Sequence, residues 1–345
     1  MATSRKVATN ENVQTYGAGG FGRDFTSLET WEGATDLNLV SAAQSEVIEV
    51  FDDAASFDDQ CVPRGATTNS SYFRIIRPAG TPGEASWQGH DGTPNNGFNI
   101  INTSTALTFM FRIDEDYCQI QDLILAYNLS DADDYMNAII DDGCTEAALV
   151  GIIADVSSNG GAGVIRGFQV QPDAGEVAYI IDCACLGVDD FAFQIDDKDG
   201  DGFVYNCTAR NSVNGFEWAG GSGSGTFKNC LADNNTTDFN GGGGNNNASS
   251  DATAVGTGPR INQTFTFINA AGGDLHLDGA DTGALDFGAD LSADGDYAFD
   301  DDIDFDTRSG SWDIGFDEFI SLISIGYPVL TDGMVSSLIF GRIVR

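Results

Sequence analysis

Three successive lines of sequence between Tyr179 and Asn240 share one template. The first runs Ile181-Asp182-Cys183-Ala184-Cys185 and is followed by Asp190-Phe191. The second runs Tyr205-Asn206-Cys207-Thr208-Ala209, then Gly215-Phe216. The third runs Lys228-Asn229-Cys230-Leu231-Ala232, then Asp238-Phe239. Cys183, Cys207 and Cys230 recur at intervals of 24 and 23 residues, and Phe191, Phe216 and Phe239 at 25 and 23. A fixed period of this size belongs to stacked units, each too small to bury its own apolar face. Short β-prone pieces alternate with Gly, Asn and Asp turns, and no apolar pattern of helical length intervenes. Each line therefore reads as one coil of a β-solenoid, with the cysteines and phenylalanines stacked as interior ladders.

Composition fits that reading. The 43 glycines suit a chain with many tight turns. Lys and Arg total 15 against 53 Asp and Glu, a formal net charge of -38. So acidic a surface argues against nucleic acid, whose phosphates need basic groups, and against anionic membranes. Asp far outnumbers Glu, as a turn-rich fold requires; adaptation to salty water is the other reading, since screening relieves self-repulsion. No apolar stretch is long enough to cross a bilayer, and the polar start after Met1 lacks the apolar core of a secretory signal. The seven cysteines are an odd number. The ladder cysteines read as small buried hydrophobes, while Cys61 and Cys144 fall outside the ladder and carry no assignment.

Taken in order, residues 1–21 read as a polar arm ending in the flexible run Gly17-Ala18-Gly19-Gly20. Thr26 and Glu29 form a capping box, and Leu28 and Trp31 lie three apart on one face, so a helical cap is expected at about 26–34. The segment Gly22-Arg23-Asp24-Phe25-Thr26-Ser27-Leu28-Glu29-Thr30-Trp31-Glu32 resembles the N-terminal motif of right-handed parallel β-helix proteins common in phage and environmental bacterial sequences. Strand candidates follow at Val47–Phe51, Tyr72–Arg77, Phe98–Ile101, Leu107–Arg112, Tyr135–Ile140, Ala148–Ile153 and Val164–Val170. Residues 241–260 read as a long exposed Gly/Asn/Ser loop. Further on, Asp274-Leu275-His276-Leu277 and Ser311-Trp312-Asp313-Ile314-Gly315-Phe316-Asp317-Glu318 resemble the terminal strands that close the last coil in the same family. Most members carry a Ser-Pro-Ala-Ile-Asp element between the two; here Thr282-Gly283-Ala284-Leu285-Asp286 stands in its place. The resemblance implies an all-β, single-chain right-handed parallel β-helix over 22–318. It implies little about function, because one fold hosts many activities.

After Phe319 the texture changes to an apolar, nearly uncharged tail over 319–345. Ile320, Leu322, Ile323, Tyr327, Leu338, Ile339 and Phe340 are its candidate closure or assembly residues.

Chemistry-bearing patterns are few. Asp197, Asp199 and Asp201 in Asp-Lys-Asp-Gly-Asp-Gly alternate as in an EF-hand loop, so Ca²⁺ is the one candidate cofactor. Position 12 of that loop is Thr208 rather than Glu, and a solvated acidic turn is the plainer reading. The run Asp300–Asp306 likewise reads as a charged face, with weak divalent-cation binding as the alternative. Candidate carboxylates for glycoside chemistry, including Asp189, Asp190, Asp196 and Glu217, are too plentiful to single out a pair. Arg166 and Arg210 would serve as lyase bases only beside a cation. His90 and His276, the only histidines, read as structural or surface groups. Trp87, Tyr205 and Trp218 are candidate sugar platforms, with Trp218 on the same face as Phe216.

These features point to a non-enzymatic virion surface protein of a tailed phage or virus, a decoration, fibre or spike, made in the host cytoplasm and contacting host glycans. Its partners would be other virion proteins or copies of itself, with a homotrimer suggested by how such fibres assemble. A polysaccharide lyase or glycoside hydrolase and a cell-surface adhesin are the competing classes.

Overall fold

The structure, a computed structural model, describes residues 3–54, 57–94, 96–103, 108–127, 134–141, 143–156, 163–196, 199–221 and 223–320. The chain visits three parallel sheets in rotation, in the manner of a parallel β-helix. Among the described residues, the first sheet has nine strands and runs from Glu11–Tyr16 through Ser45–Val50, Arg74–Pro78 and Val177–Ile181 to Gly243–Asn245. The second has seven, from Asn99–Asn102 to Ala248–Ser249, and the third six, from Phe109–Ile113 to Thr237–Asn240.

The corner between the first and second sheets explains the repeated Asp/Asn-Cys pair. Asp122, Asp182, Asn206, Asn229 and Asn246 all have φ between 50 and 55° or just below it, and Gly151 takes φ 64° at the equivalent place. Only Gly, Asn and Asp visit this left-handed region readily, because other side chains clash with the carbonyl. The next residue turns inward. Leu123, Ile152, Cys183, Cys207 and Cys230 are all fully buried there. Every cysteine is free and buried, Cys61 and Cys144 included, so all seven are packing residues.

Inside the first sheet, Ile48, Ile76, Ile120, Leu149, Ile180, Val204 and Phe227 stack strand over strand. In the third sheet Phe168, Phe193, Phe216 and Phe239 do the same, with ring centroids 5.4, 5.0 and 4.8 Å apart. The aromatic register thus corrects the sequence reading by two residues: Phe193 pairs with Phe216, and Phe191 pairs with Asn214. Residues two apart share a strand face, so sequence alone could not choose between Phe191 and Phe193.

The middle strands of the first and second sheets are apolar on both faces, as parallel strands covered on both sides must be. Tyr179, Ile181, Phe203 and Tyr205 point outward from the first sheet and pack beneath Leu291, Tyr297, Phe299 and Trp312. Ile153, Ala184 and Leu186 point outward from the second and pack beneath Leu275, Ile303 and Phe316. The segment from Asp274 to Phe319 is therefore a cover laid along the outside of two sheets. It does not close the last coil, as the resemblance implied. The apolar outward faces need a lid, and this segment carries the matching residues.

Three further expectations change. The described part of the expected arm over 1–21 is not free: Glu11–Tyr16 pairs in register with Ser45–Val50, and Ala8 packs on Val47, Phe73 and Ile75. The cap helix spans Leu28–Ala34 with Leu28 and Trp31 buried in the main core, but Ser27, not Thr26, is its N-cap, accepting from the Thr30 N–H at 3.4 Å. Residues 241–260 form one more coil, with Asn245 bridging Thr257 and Ala248 bridging Arg260. Asn247 occupies the ladder position there; its Oδ1 accepts from Cys230 N at 3.0 Å and its Nδ2 donates to Phe227 O at 2.8 Å. A polar side chain thus satisfies backbone groups at the end of the ladder.

Near the other end, Arg74 is fully buried on the first sheet, 3.1 Å from Glu32 and 3.6 Å from Glu115. Among the described residues no helix is long and apolar enough to cross a membrane.

Candidate functional site

The N-terminal segment around Arg5 and the outer cover around Asp301 and Arg308 meet over the first corner. Arg5 is buried there, within 2.8 Å of Asp122, 3.1 Å of Asp301 and 3.7 Å of Asp182. The Ser4 N–H donates to Asp301 at 2.7 Å. Arg308, also buried, approaches Asp182 at 3.7 Å and donates to the carbonyls of Gly315 at 2.9 Å and Asp301 at 3.3 Å. Burial pushes the Asp182 carboxyl up to about 7, against the pull of Arg308 and Arg5. The knot fixes the loop Asp302–Asp306. Asp302 Oδ1 accepts from the N–H groups of Asp304 and Asp306, both at 2.9 Å, and its Oδ2 from Glu318 N at 3.1 Å.

That loop forms one wall of a cleft of about 360 Å³. Phe305 sits at φ 65°, a left-handed conformation costly for a bulky residue, and so is held by its surroundings. The Arg5 guanidinium lies 4.3 Å from its ring centroid, and Trp87 meets it edge-on at 5.5 Å. The opposite wall is the loop between Pro78 and Asn99. Trp87 is half-buried and its Nε1 donates to His90 O at 3.1 Å. A Cβ on Gly89 would lie 2.2 Å from the indole, so only glycine lets the ring lie flat on the loop. Asp91 accepts from Thr93 Oγ1 at 2.6 Å and from Asn96 Nδ2 at 2.7 Å. Asp52, Glu84, Gln88 and Asp304 complete the polar rim.

His90 is the floor. It is buried, with Nδ1 accepting from Gly92 N at 3.2 Å and Nε2 facing Gly151 O at 2.6 Å. This pattern assigns a neutral imidazole with its proton on Nε2, and burial holds its pKa below the ordinary value. His90 is structural, as expected from sequence.

Behind the Phe305 wall lies a second constellation. Ligand atoms of His276, Asp304 and Asp317 all fall within 4.8 Å of one another. His276 Nδ1 contacts Asp274 Oδ1 at 2.6 Å, and its Nε2 faces Asp304 Oδ2 at 3.4 Å. Asp317 Oδ2 accepts from Leu277 N at 2.9 Å. Burial alone would lower the His276 pKa; the carboxylates of Asp304, Asp317 and Asp274 outweigh it and raise it to about 10.

The residues singled out from sequence scatter. Asp197 lies outside the described residues. Asp199 sits at φ 116°, and Asp201 opens a strand and accepts from Ser224 N at 3.1 Å. Asp190 pairs with Arg166 at 3.0 Å, and Arg210 with Asp233 at 2.7 Å. Asp189 accepts from Ile165 N, Asp196 from Gln171 and Glu217 from Gln194, so each binds a neighbouring coil. Tyr205 is fully buried under the cover and Trp218 packs against the core; of the three platforms Trp87 alone lines the cleft. Ile320 is 47% exposed. Leu322, Ile323, Tyr327, Leu338, Ile339 and Phe340 lie outside the described residues. The pairing of Trp87 with Phe305 and Asp304 carried no sequence signal, since the two loops are far apart in the chain.

Comparison with protein-family models, with curated proteins and with solved structures finds no match.

Proposed function

We propose that this chain is a non-catalytic, single-chain right-handed parallel β-helix on the surface of a tailed phage or virus, as a decoration, fibre or spike, and that its cleft contacts a host glycan. The observation that carries the glycan reading is the cleft itself, with the half-buried Trp87 beside the polar groups of Glu84, Gln88, Asp91 and Asn96. A sugar ring offers an apolar C–H face and a hydroxyl edge, which an indole flanked by hydrogen-bonding groups complements. The rim carboxylates select the charge of the ligand: neutral or amino-bearing sugars are favoured and anionic polysaccharides repelled. Seven free, buried cysteines suit synthesis in a reducing cytoplasm, and stacked ladders suit a rigid rod.

The test is a glycan array with neutral, amino-bearing and acidic members, run with the intact chain and Trp87→Ala. Binding to neutral or amino-bearing glycans that Trp87→Ala abolishes, with no new reducing ends or unsaturated products, is the expected result. No binding, or turnover of any bound glycan, overturns the reading. The particle assignment is tested by mass spectrometry of purified virions; a chain recovered only from cell envelopes overturns it.

A further inference from the structure

We propose that His276, Asp304 and Asp317 bind one divalent transition-metal cation of the Zn²⁺ or Mn²⁺ class, which ties the outer cover to the wall of the cleft. The donor set is one imidazole nitrogen and two carboxylates. Imidazole suits Zn²⁺ and other first-row metals, whereas Ca²⁺ and Mg²⁺ sites are built from oxygens.

Two observations beyond the clustering point to a ligand. The first is the state of His276 Nε2. The atom is buried and makes no hydrogen bond among the described residues. It lies 3.4 Å from Asp304 Oδ2. That is longer than the usual 2.7–3.2 Å of an N–H···O bond. It is close to the edge of a coordination tetrahedron with bonds of about 2.0–2.1 Å, which is about 3.3 Å. The second is how the donors are held. Asp274 engages Nδ1 at 2.6 Å and so leaves Nε2 facing Asp304. A carboxylate on the far nitrogen is the usual support for a metal-bound histidine, fixing both tautomer and ring orientation. Asp317 is anchored by the Leu277 N–H and is 6% exposed.

The ligands come from three separate pieces of the cover: the strand Asp274–Leu277, the loop Asp302–Asp306 and the terminal turn at Asp317. A cation bridging them would lock those pieces together, and through Asp304 would set the cleft wall. The competitor for Nε2 is a proton, which the same carboxylates would hold as an imidazolium ion pair.

The experiment titrates the intact, chelator-treated protein with Zn²⁺ and with Mn²⁺ by calorimetry. Physiological salt and excess Mg²⁺ occupy the acidic surface during the titration. The expected result is one saturable site per chain, abolished in His276→Gln and weakened by at least about tenfold in Asp274→Asn. Asp304→Asn should weaken it likewise, while Asp199→Asn/Asp201→Asn leaves it unchanged. Bound metal should also raise the melting temperature of the parent chain but not of His276→Gln. No saturable binding above the Mg²⁺ background overturns the proposal. So does binding that His276→Gln and Asp304→Asn leave intact, which would be adventitious attraction to the acidic surface. Asp304 is only half-buried, so Asp304→Asn keeps the test decisive if His276→Gln folds poorly.

Discussion

Arg5 donates two hydrogen bonds to a single oxygen of Asp122, from Nε at 2.9 Å and from Nη2 at 2.8 Å. The pair joins the start of the chain to a corner of the fourth strand of the first sheet, and Asp301 of the outer cover closes the same knot. Both partners are buried, so removing one leaves the other charge uncompensated. Arg5→Ala should cost about 3–5 kcal/mol in denaturant unfolding, with Arg5→Lys recovering only part because one ammonium cannot span the same carboxylates. A loss under 1 kcal/mol would show that the N-terminal segment does not contribute to the fold.

Phe216 lies between Phe193 and Phe239, with centroids 5.0 and 4.8 Å away and no exposure. Phe216→Ala removes a filled layer and should destabilise by about 3–5 kcal/mol. Phe216→Leu, which keeps most of the volume, should cost less than half of that. Equal losses for the two variants would count against ring stacking as the packing unit.

Asn229 tests the corner and the cover together. Its φ is 54°, its Nδ2 donates to Ala289 O at 2.9 Å and its Oδ1 accepts from Ala289 N at 2.7 Å. Asn229→Ala loses both the left-handed tolerance and the tie, whereas Asn229→Gly loses only the tie. Urea midpoints should therefore rank parent, then Gly, then Ala, with Ala about 1–2 kcal/mol below Gly. The reverse order would mean that the corner does not need its backbone conformation.

Burial raises Glu115 to about 7, with Arg74 opposing and Glu32 adding to it, and raises Asp182 to about 7. A carboxyl raised above its unfolded value binds its proton more tightly in the folded state. The stabilisation is complete below the unfolded pKa, near 4 to 4.5, and is lost as pH rises through about 7. The melting temperature should fall between pH 5 and pH 8, and Glu115→Gln should flatten that fall, since an amide does not titrate. A profile that rises over this range, or one that Glu115→Gln leaves unchanged, would rule out these groups as its source.

What was legible in the sequence follows from how evenly the coils are spaced. Cys183, Cys207 and Cys230 repeat because the coils between them carry no insertions. The same ladder continues back through Leu123 and Ile152, where the letter changes and the spacing widens, so no repeat shows. The shared feature there is the preceding left-handed residue, Asp122 or Gly151, a conformational signal readable only once the corner is known. The polar coil at 241–260 hid for a related reason: Asn247 does with hydrogen bonds what cysteine does by packing. The cleft depends on Trp87 meeting Phe305, and no local pattern encodes a contact of that range.

The cover has a consequence for how the molecule comes into being. A chain made from its N-terminus can stack its coils as they emerge, each on the one before. Yet Tyr179, Phe203 and Tyr205 find their partners only when Leu291, Tyr297 and Trp312 have been synthesised, and Arg5 meets Asp301 only then. Until that moment a nearly complete rod presents an aromatic stripe along its flank, the kind of surface on which nascent chains associate. Arg5, far ahead of Asp301 in the chain, is thus among the last residues to be sealed, and a stalled product ending before Asp274 would be a folded core with an adhesive side.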